Sequence, residues 1–326
     1  MTNEIMPYIR VENLKKFFHT KRGLLHAVDD VSFAIQKGET LGLVGESGCG
    51  KSTLGRCLIR LLDATSGRVI LNDENTGEDI DVTKASKSVM KHLRRKVQIV
   101  FQDPYSCLNP RLSVWELIAE PLIVNRVFPD KNAVKQRVRE LMDTVGLAER
   151  MENSYPHELD GGRRQRIGIA RSLALNPEFI VLDEPVSALD VCIQAQILNL
   201  LNELQKEFHY TYVFISHNLS VVKHVSDRIA VMYLGKIVEL SDYKDLFVKP
   251  SHPYTQALLS AIPTAKLDVK KERIILEGDV PSPVEPPDGC RFMGRCRHCM
   301  EVCRHETPEL REVFPGHFAA CHLKYR

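Results

Sequence analysis

Thr40-Leu-Gly-Leu-Val-Gly45-Glu-Ser-Gly-Cys-Gly50-Lys51-Ser52-Thr53 is the stretch that decides the fold. Its first part is a short apolar run ending in glycine, the pattern of a buried strand. Its second part fits G-x-x-x-x-G-K-[ST] in full and should open a helix. The spacing has a chemical reason. Glycines at 45, 48 and 50 let backbone N–H groups turn inward around phosphate oxygens, and the N-terminus of the helix adds positive potential. Lys51 should reach the β- and γ-phosphates of a nucleotide, and Ser52 should hold Mg²⁺. Glu46, Ser47, Cys49 and Thr53 complete the candidate phosphate loop.

An acidic strand matches it downstream, Phe179-Ile-Val-Leu-Asp183-Glu184. Four apolar residues bury the strand and deliver two carboxylates at its C-terminal end, where α/β sheets bind ligands. Asp183 should support the Mg²⁺, and Glu184 should polarise an attacking water as general base. Around these landmarks, residues 8–45 read as strands, 132–146 and 163–175 have helical apolar spacing, and a helix is expected from about Ile193 to Phe208. Tyr-Thr-Tyr-Val-Phe-Ile-Ser-His (210–217) reads as a third buried strand. Buried strands alternating with helices imply an α/β fold with a mainly parallel sheet. The composition shifts near residue 250, and Pro-Ser-Pro-Val-Glu-Pro-Pro-Asp-Gly (281–289) cannot be regular helix. Residues 1–250 are therefore expected as one domain and 251–326 as a cysteine-rich extension.

The chain has 326 residues, 44% of them hydrophobic and 26% charged, with a formal net charge of +2. That balance suits one large core with a smaller appended unit rather than a disordered chain. It shows no basic run that would call for a nucleic-acid partner. No stretch reaches the roughly 18–20 apolar residues needed to cross a bilayer, and the N-terminus lacks a signal-peptide pattern. The expectation is a cytosolic protein that reaches a membrane only by docking onto other chains.

These motifs together resemble the ATPase subunits of ABC transporters over residues 8 to about 250. The resemblance implies a P-loop ABC ATPase domain with a parallel-sheet core, an antiparallel β subdomain and a helical subdomain. It also assigns residues. Phe18, with Phe17 as the alternative, falls where the family stacks an aromatic on adenine. Gln102 matches the glutamine that senses Mg²⁺ and the attacking water, and His217 the histidine on the γ-phosphate. Ser187-Ala188-Leu189-Asp190 matches the loop that crosses the dimer interface. Asp103–Arg111 and Tyr155–Glu158 fall where the family meets its membrane subunits.

The family signature Leu-Ser-Gly-Gly-Gln is altered here to Leu159-Asp160-Gly161-Gly162-Arg163. In the family this loop caps a helix that faces the γ-phosphate held by the opposite subunit. Aspartate is a good helix cap, but its carboxylate only accepts hydrogen bonds and meets a phosphate with like charge. A homodimer would carry this defect in both sites, so the expectation is a heterodimer with a second ATPase subunit bearing a normal signature.

Nine cysteines are present, five of them after residue 289: Cys290, Cys296, Cys299, Cys303 and Cys321. In a cytosolic chain such a cluster points to a metal site rather than disulfides. Ser251-His-Pro-Tyr-Thr255 and the cysteine tail resemble the C-terminal extension of oligopeptide/dipeptide transporter ATPases. The resemblance implies uptake of peptides or related solutes, two permease subunits, an extracytoplasmic binding protein, and a place on the cytoplasmic face of the membrane. It also implies a [4Fe–4S] cluster on Cys290, Cys296, Cys303 and Cys321. Four thiolates suit that cluster or a tetrahedral zinc, and Cys299 could replace a neighbour. The competing readings are a soluble non-transport ABC ATPase and a metal- or redox-sensing ATPase.

Overall fold

A computed structural model describes residues 6–73, 77–262 and 273–323. The chain divides into two compact units, one formed by Met1–Lys84 with Phe214–Arg326, the other by Ala85–Val213.

The first unit begins with an antiparallel hairpin, β1 (Ile9–Thr20) and β2 (Gly23–Ile35). Ile9, Val11 and Leu14 of β1 are buried, but alternation slips between Val11 and Leu14, where Asn13 has a positive φ of 46° and the pairing register shifts. Next come β3 (Thr40–Val44), buried along its whole length, and α1 (Lys51–Leu58). β4 (Ser66–Asp73) and β5 (Glu78–Asp81) join the hairpin in the order β2-β1-β4-β5.

The second unit opens with α2 (Lys87–Lys96), capped by Ser86, and β6 (Val97–Val100). A run of helices follows: α3 (Pro104–Cys107), α4 (Val114–Val124), α5 (Lys131–Thr144) and α6 (Gly161–Leu173). Each long one starts at a side-chain cap, α4 with a reciprocal Ser113–Glu116 box and α5 with Asp130. Val134, Val138, Leu141 and Met142 give α5 one buried stripe. β7 (Phe179–Asp183) lies parallel to β6 and is wholly buried, which explains its unbroken apolar sequence. α7 (Val191–Phe208) buries Ile197, Leu200, Leu201 and Leu204 and stops at His209, a left-handed residue.

The chain passes back to the first unit within the buried strand β8 (Thr211–Ser216). α8 (Leu219–Val225) leads to β9 (Arg228–Tyr233), parallel to β3, and β10 (Lys236–Asp242) returns antiparallel. α9 (Tyr243–Val248) and α10 (Pro253–Ser260) follow. The proline-rich stretch meets β2 through an isolated bridge between Leu25 and Val284, where His26 N–H donates to Pro283 O at 3.0 Å and Leu24 N–H to Glu285 at 2.7 Å. After α11 (Val302–His305), β11 (Arg311–Phe314) and β12 (His317–Ala319) close the chain. β12 pairs with β10, so the tail widens this unit's sheet to β3-β9-β10-β12-β11. The sheet is mixed rather than mainly parallel in this unit, because the tail and the β9–β10 hairpin enter it antiparallel.

Candidate functional site

The loop between β3 and α1 is pre-shaped by its glycines. Gly50 caps α1 at φ 107°, and a Cβ there would fall 1.9 Å from the Ala27 carbonyl oxygen. Gly45 is equally confined, with its notional Cβ 2.1 Å from Met232 O. Backbone approach this close is why no other residue fits. Ser47 and Gly48 are exposed at the tip, Cys49 is buried, and Ser52 and Thr53 are half-buried on the first turn of α1. Lys51 is buried, and its ammonium donates to Gly45 O at 2.8 Å and Glu46 O at 3.0 Å. The cation is thereby folded over its own loop. Burial pushes the Cys49 thiol up, partly offset by Lys51, so Cys49 packs as a neutral side chain.

In the second unit β7 ends at Asp183, 1% exposed, and Glu184. Glu184 adopts φ 47°, a left-handed conformation that costs a non-glycine residue about 1 kcal/mol or more. The turn is fixed by Ser187, whose N–H and hydroxyl both donate to Glu184 O at 3.2 and 3.1 Å. Gln102, beyond β6, donates from Nε2 to Glu184 Oε2 at 3.1 Å. The glutamine and the glutamate singled out from sequence thus meet. Ala188 is exposed and Leu189 half-buried, and Asp190 caps α7 by accepting from Ile193 N–H at 3.0 Å.

Asp160 is the cap of α6, accepting from Arg163 N–H at 2.8 Å. Its second oxygen lies 3.3 Å from the Arg163 guanidinium, with both side chains about half exposed. The two glycines that follow are closely packed: a Cβ at Gly162 would lie 2.6 Å from Ile193 Cγ2 and force it to shift, and one at Gly161 would press on Leu189 Cδ2 at 3.1 Å. Leu159 is buried. Sequence reading missed Arg164. It is buried, bonds to Pro156 O, and lies over the Tyr105 ring at 3.7 Å, joining the Asp103–Arg111 segment to Tyr155–Glu158. Tyr105 and Tyr155 are exposed.

In the first unit His217 is exposed just past β8. Phe18 is half-buried, with Lys16 4.9 Å from its centroid, and Phe17 stacks on His26 at 4.1 Å. The tail cysteines are all free thiols: Cys303 buried, Cys290, Cys296 and Cys321 half-buried, Cys299 exposed. Burial pushes the Cys290 thiol up to about 11, with Cys303, Cys321 and Cys296 adding to the rise, and Cys296 is raised the same way. Four cysteine side chains have the donor chemistry of a cluster or zinc site. Among the described residues, however, no group of three or more His, Cys, Asp or Glu side chains is placed to hold a metal ion, so the sequence expectation of a formed site is not met by these side-chain positions.

A glycine-cradled loop with a buried lysine in the first unit, and in the second a strand ending in buried Asp183 with Glu184 met by a glutamine, are each features of a P-loop nucleotide-hydrolysing ATPase. A family model described as ABC transporter matches residues 28–187, and one described as oligopeptide/dipeptide transporter, C-terminal region, matches residues 238–303. The oligopeptide transport ATP-binding proteins AppF and OppF of Bacillus subtilis are 50% and 52% identical, the matches covering 97% and 96% of this chain and 97% and 95% of theirs. A putative peptide import ATP-binding protein of Brucella ovis is 47% identical, with 97% of each chain covered. A bacterial ABC transporter cassette solved as a dimer superposes with a TM-score of 0.65 at 30% identity, over 72% of this chain and 98% of that one. The chain belongs to the ABC transporter ATP-binding subunits of the oligopeptide/dipeptide type. It is an ATPase with the P-loop ABC fold and works as the ATP-binding subunit of a transporter, not as a free-standing ABC ATPase or sensor.

Proposed function

We propose that the chain hydrolyses ATP to drive import of peptides or related small solutes. It works at the cytoplasmic face of the membrane with two permease subunits and an extracytoplasmic binding protein. The relatives' names and the C-terminal family match support the substrate class. In this reading Lys51 and the loop of residues 45–53 hold the phosphates, and Ser52, Gln102 and Asp183 serve Mg²⁺. Glu184 orients and deprotonates the attacking water, His217 contacts the γ-phosphate, and Phe18 stacks on adenine. The surface joined by Arg164, with Tyr105 and Tyr155 exposed on it, receives the permease.

Asp160 supports a heterodimer, because its carboxylate is already spent as an acceptor at the head of α6 and offers a phosphate no donor. Ser187–Asp190 lines the contact between the two ATPase subunits. For the tail, the donor chemistry of four free cysteines, Cys290, Cys296, Cys303 and Cys321, supports a shared ligand, a [4Fe–4S] cluster with zinc as the alternative, and Cys299 as a substitute donor. The 1–250 and 251–326 division is kept as the functional one, motor and extension.

The observation that carries the catalytic reading is the left-handed Glu184 held by Gln102. Glu184→Gln in the assembled transporter should bind MgATP normally and lower turnover by about 10²–10⁴. Turnover within a few-fold of the unaltered complex would remove Glu184 from the base role.

A further inference from the structure

The phosphate loop is held from behind by the C-terminal tail, and one contact bears on the loop's charge. Glu46 places a carboxylate in a loop whose task is to bind an anion. Arg295 takes that carboxylate in two parallel bonds, Nη1 to Oε2 at 2.8 Å and Nη2 to Oε1 at 3.2 Å. The Arg295 side chain is only 9% exposed. Forked pairs of this kind fix direction as well as charge.

The backbone of the same residue is held too: Glu46 N–H donates to Tyr254 Oη at 2.9 Å. Tyr254 is fully buried, packed on Tyr233 at 4.7 Å and Phe292 at 5.5 Å between centroids. Arg291 donates to Asp29 and to Leu234 O, and the neighbouring Gly235 N–H donates to Cys49 O at 2.9 Å. A single turn of the tail, Cys290 to Cys296, therefore sends Arg291, Phe292 and Arg295 to the loop and its supports, with a thiol at each end.

We propose that Arg295 is a positioning residue of the nucleotide site, lent by the tail: it neutralises Glu46 and draws its carboxylate away from the phosphates, so that MgATP affinity depends on the C-terminal extension. The inference rests on the reading of residues 45–53 as the nucleotide site.

The test measures MgATP affinity of the full chain by calorimetry, and kcat and KM of the assembled transporter. Arg295→Gln should weaken MgATP binding about tenfold, the scale of lost charge-assisted hydrogen bonds, with kcat at saturation within about twofold. Glu46→Gln alone should cost less affinity than Arg295→Gln, and the double variant Glu46→Gln with Arg295→Gln should bind MgATP more tightly than Arg295→Gln alone, because no carboxylate then needs neutralising. A merely structural pair would make both single variants and the double equally weak.

Binding by Arg295→Gln within about twofold of the unaltered chain would overturn the proposal. So would a double variant no better than Arg295→Gln. Should Arg295→Gln fail to fold, Arg295→Lys keeps the charge without the fork. It should bind within about threefold, and a tenfold loss there would overturn the electrostatic role. No MgATP affinity in the unaltered chain would overturn the nucleotide-site reading itself, an outcome separate from any result at Arg295.

Discussion

His252 sets an acid limit on the stability of this chain. It is 1% exposed at the head of α10, and its Nδ1 accepts from Tyr254 N–H at 3.1 Å. With Nδ1 accepting, the neutral ring carries its proton on Nε2; a second proton must go to Nδ1, where it would remove that cap and charge a buried ring lying 5.6 Å from Phe292. Burial lowers the His252 pKa to about 4, and the Glu239 carboxylate offsets only part of this. The ordinary value in the unfolded chain is about 6.5. The unfolded chain therefore takes up the proton first. The contribution is fully present above about pH 6.5 and is lost as pH falls towards 4. By linkage the loss reaches about 2 kcal/mol at about pH 5 and about 3 kcal/mol below pH 4.

Other groups titrate in the same range, so the informative quantity is a difference. His252→Asn keeps a side-chain acceptor for Tyr254 N–H and does not titrate. Urea unfolding at about pH 8 and about pH 5 should show the unaltered chain losing about 2 kcal/mol more than the variant. Parallel losses in the two proteins would refute the claim that His252 is held neutral by burial.

Two further outcomes are expected. Asp160→Ser keeps a side-chain acceptor for Arg163 N–H, so stability should change by less than about 0.5 kcal/mol while transporter ATP turnover rises; unchanged turnover would show that Asp160 is no handicap. Anaerobically purified protein should carry about four irons with matching sulfide, and Cys303→Ser should lose them; one zinc per chain would select the alternative, and neither metal would end the ligand-set reading.

The site was largely legible in the sequence because its geometry is local. The glycines of the phosphate loop, the apolar β7 with its two acids, and the Asp160 cap all follow from a few adjacent residues. Gln102 was found only through resemblance, since its partner Glu184 is far along the chain. α4 gave no amphipathic signal. Its apolar residues run nearly all round, with Val114, Leu117, Ile118, Ala119 and Leu122 buried, and Pro121 sits inside it. The pairing of β12 with β10 was not legible either. It is a short, long-range contact, and its key is a fully buried pair, His317 Nε2 to Glu239 Oε1 at 2.6 Å, in which neither residue type advertises burial. Arg291 and Arg295 read as ordinary polar residues of a cysteine-rich tail, because nothing near them in sequence names Asp29 or Glu46.

A ligand on the tail thiols would add to contacts that are otherwise few. Between residue 273 and the end of the described chain, the buried apolar side chains are few: Phe292, Cys303, Ala319 and Ala320. So thin a core gives little of its own stability. The tail is instead fastened by polar ties, Arg291 to Asp29, Arg295 to Glu46 and His317 to Glu239, each needing its backbone in place before it forms. A ligand joining Cys290, Cys296, Cys303 and Cys321 would bring the Cys290–Cys296 turn, α11 and the end of β12 into register at once, and would fix the two arginines between the first pair of thiols. Metal binding that couples to folding in this way stabilises a segment that apolar burial cannot. The polar ties would then weaken together when the ligand is lost. The first functional consequence would be expected where Arg295 ends, at the phosphate loop, rather than at Glu184.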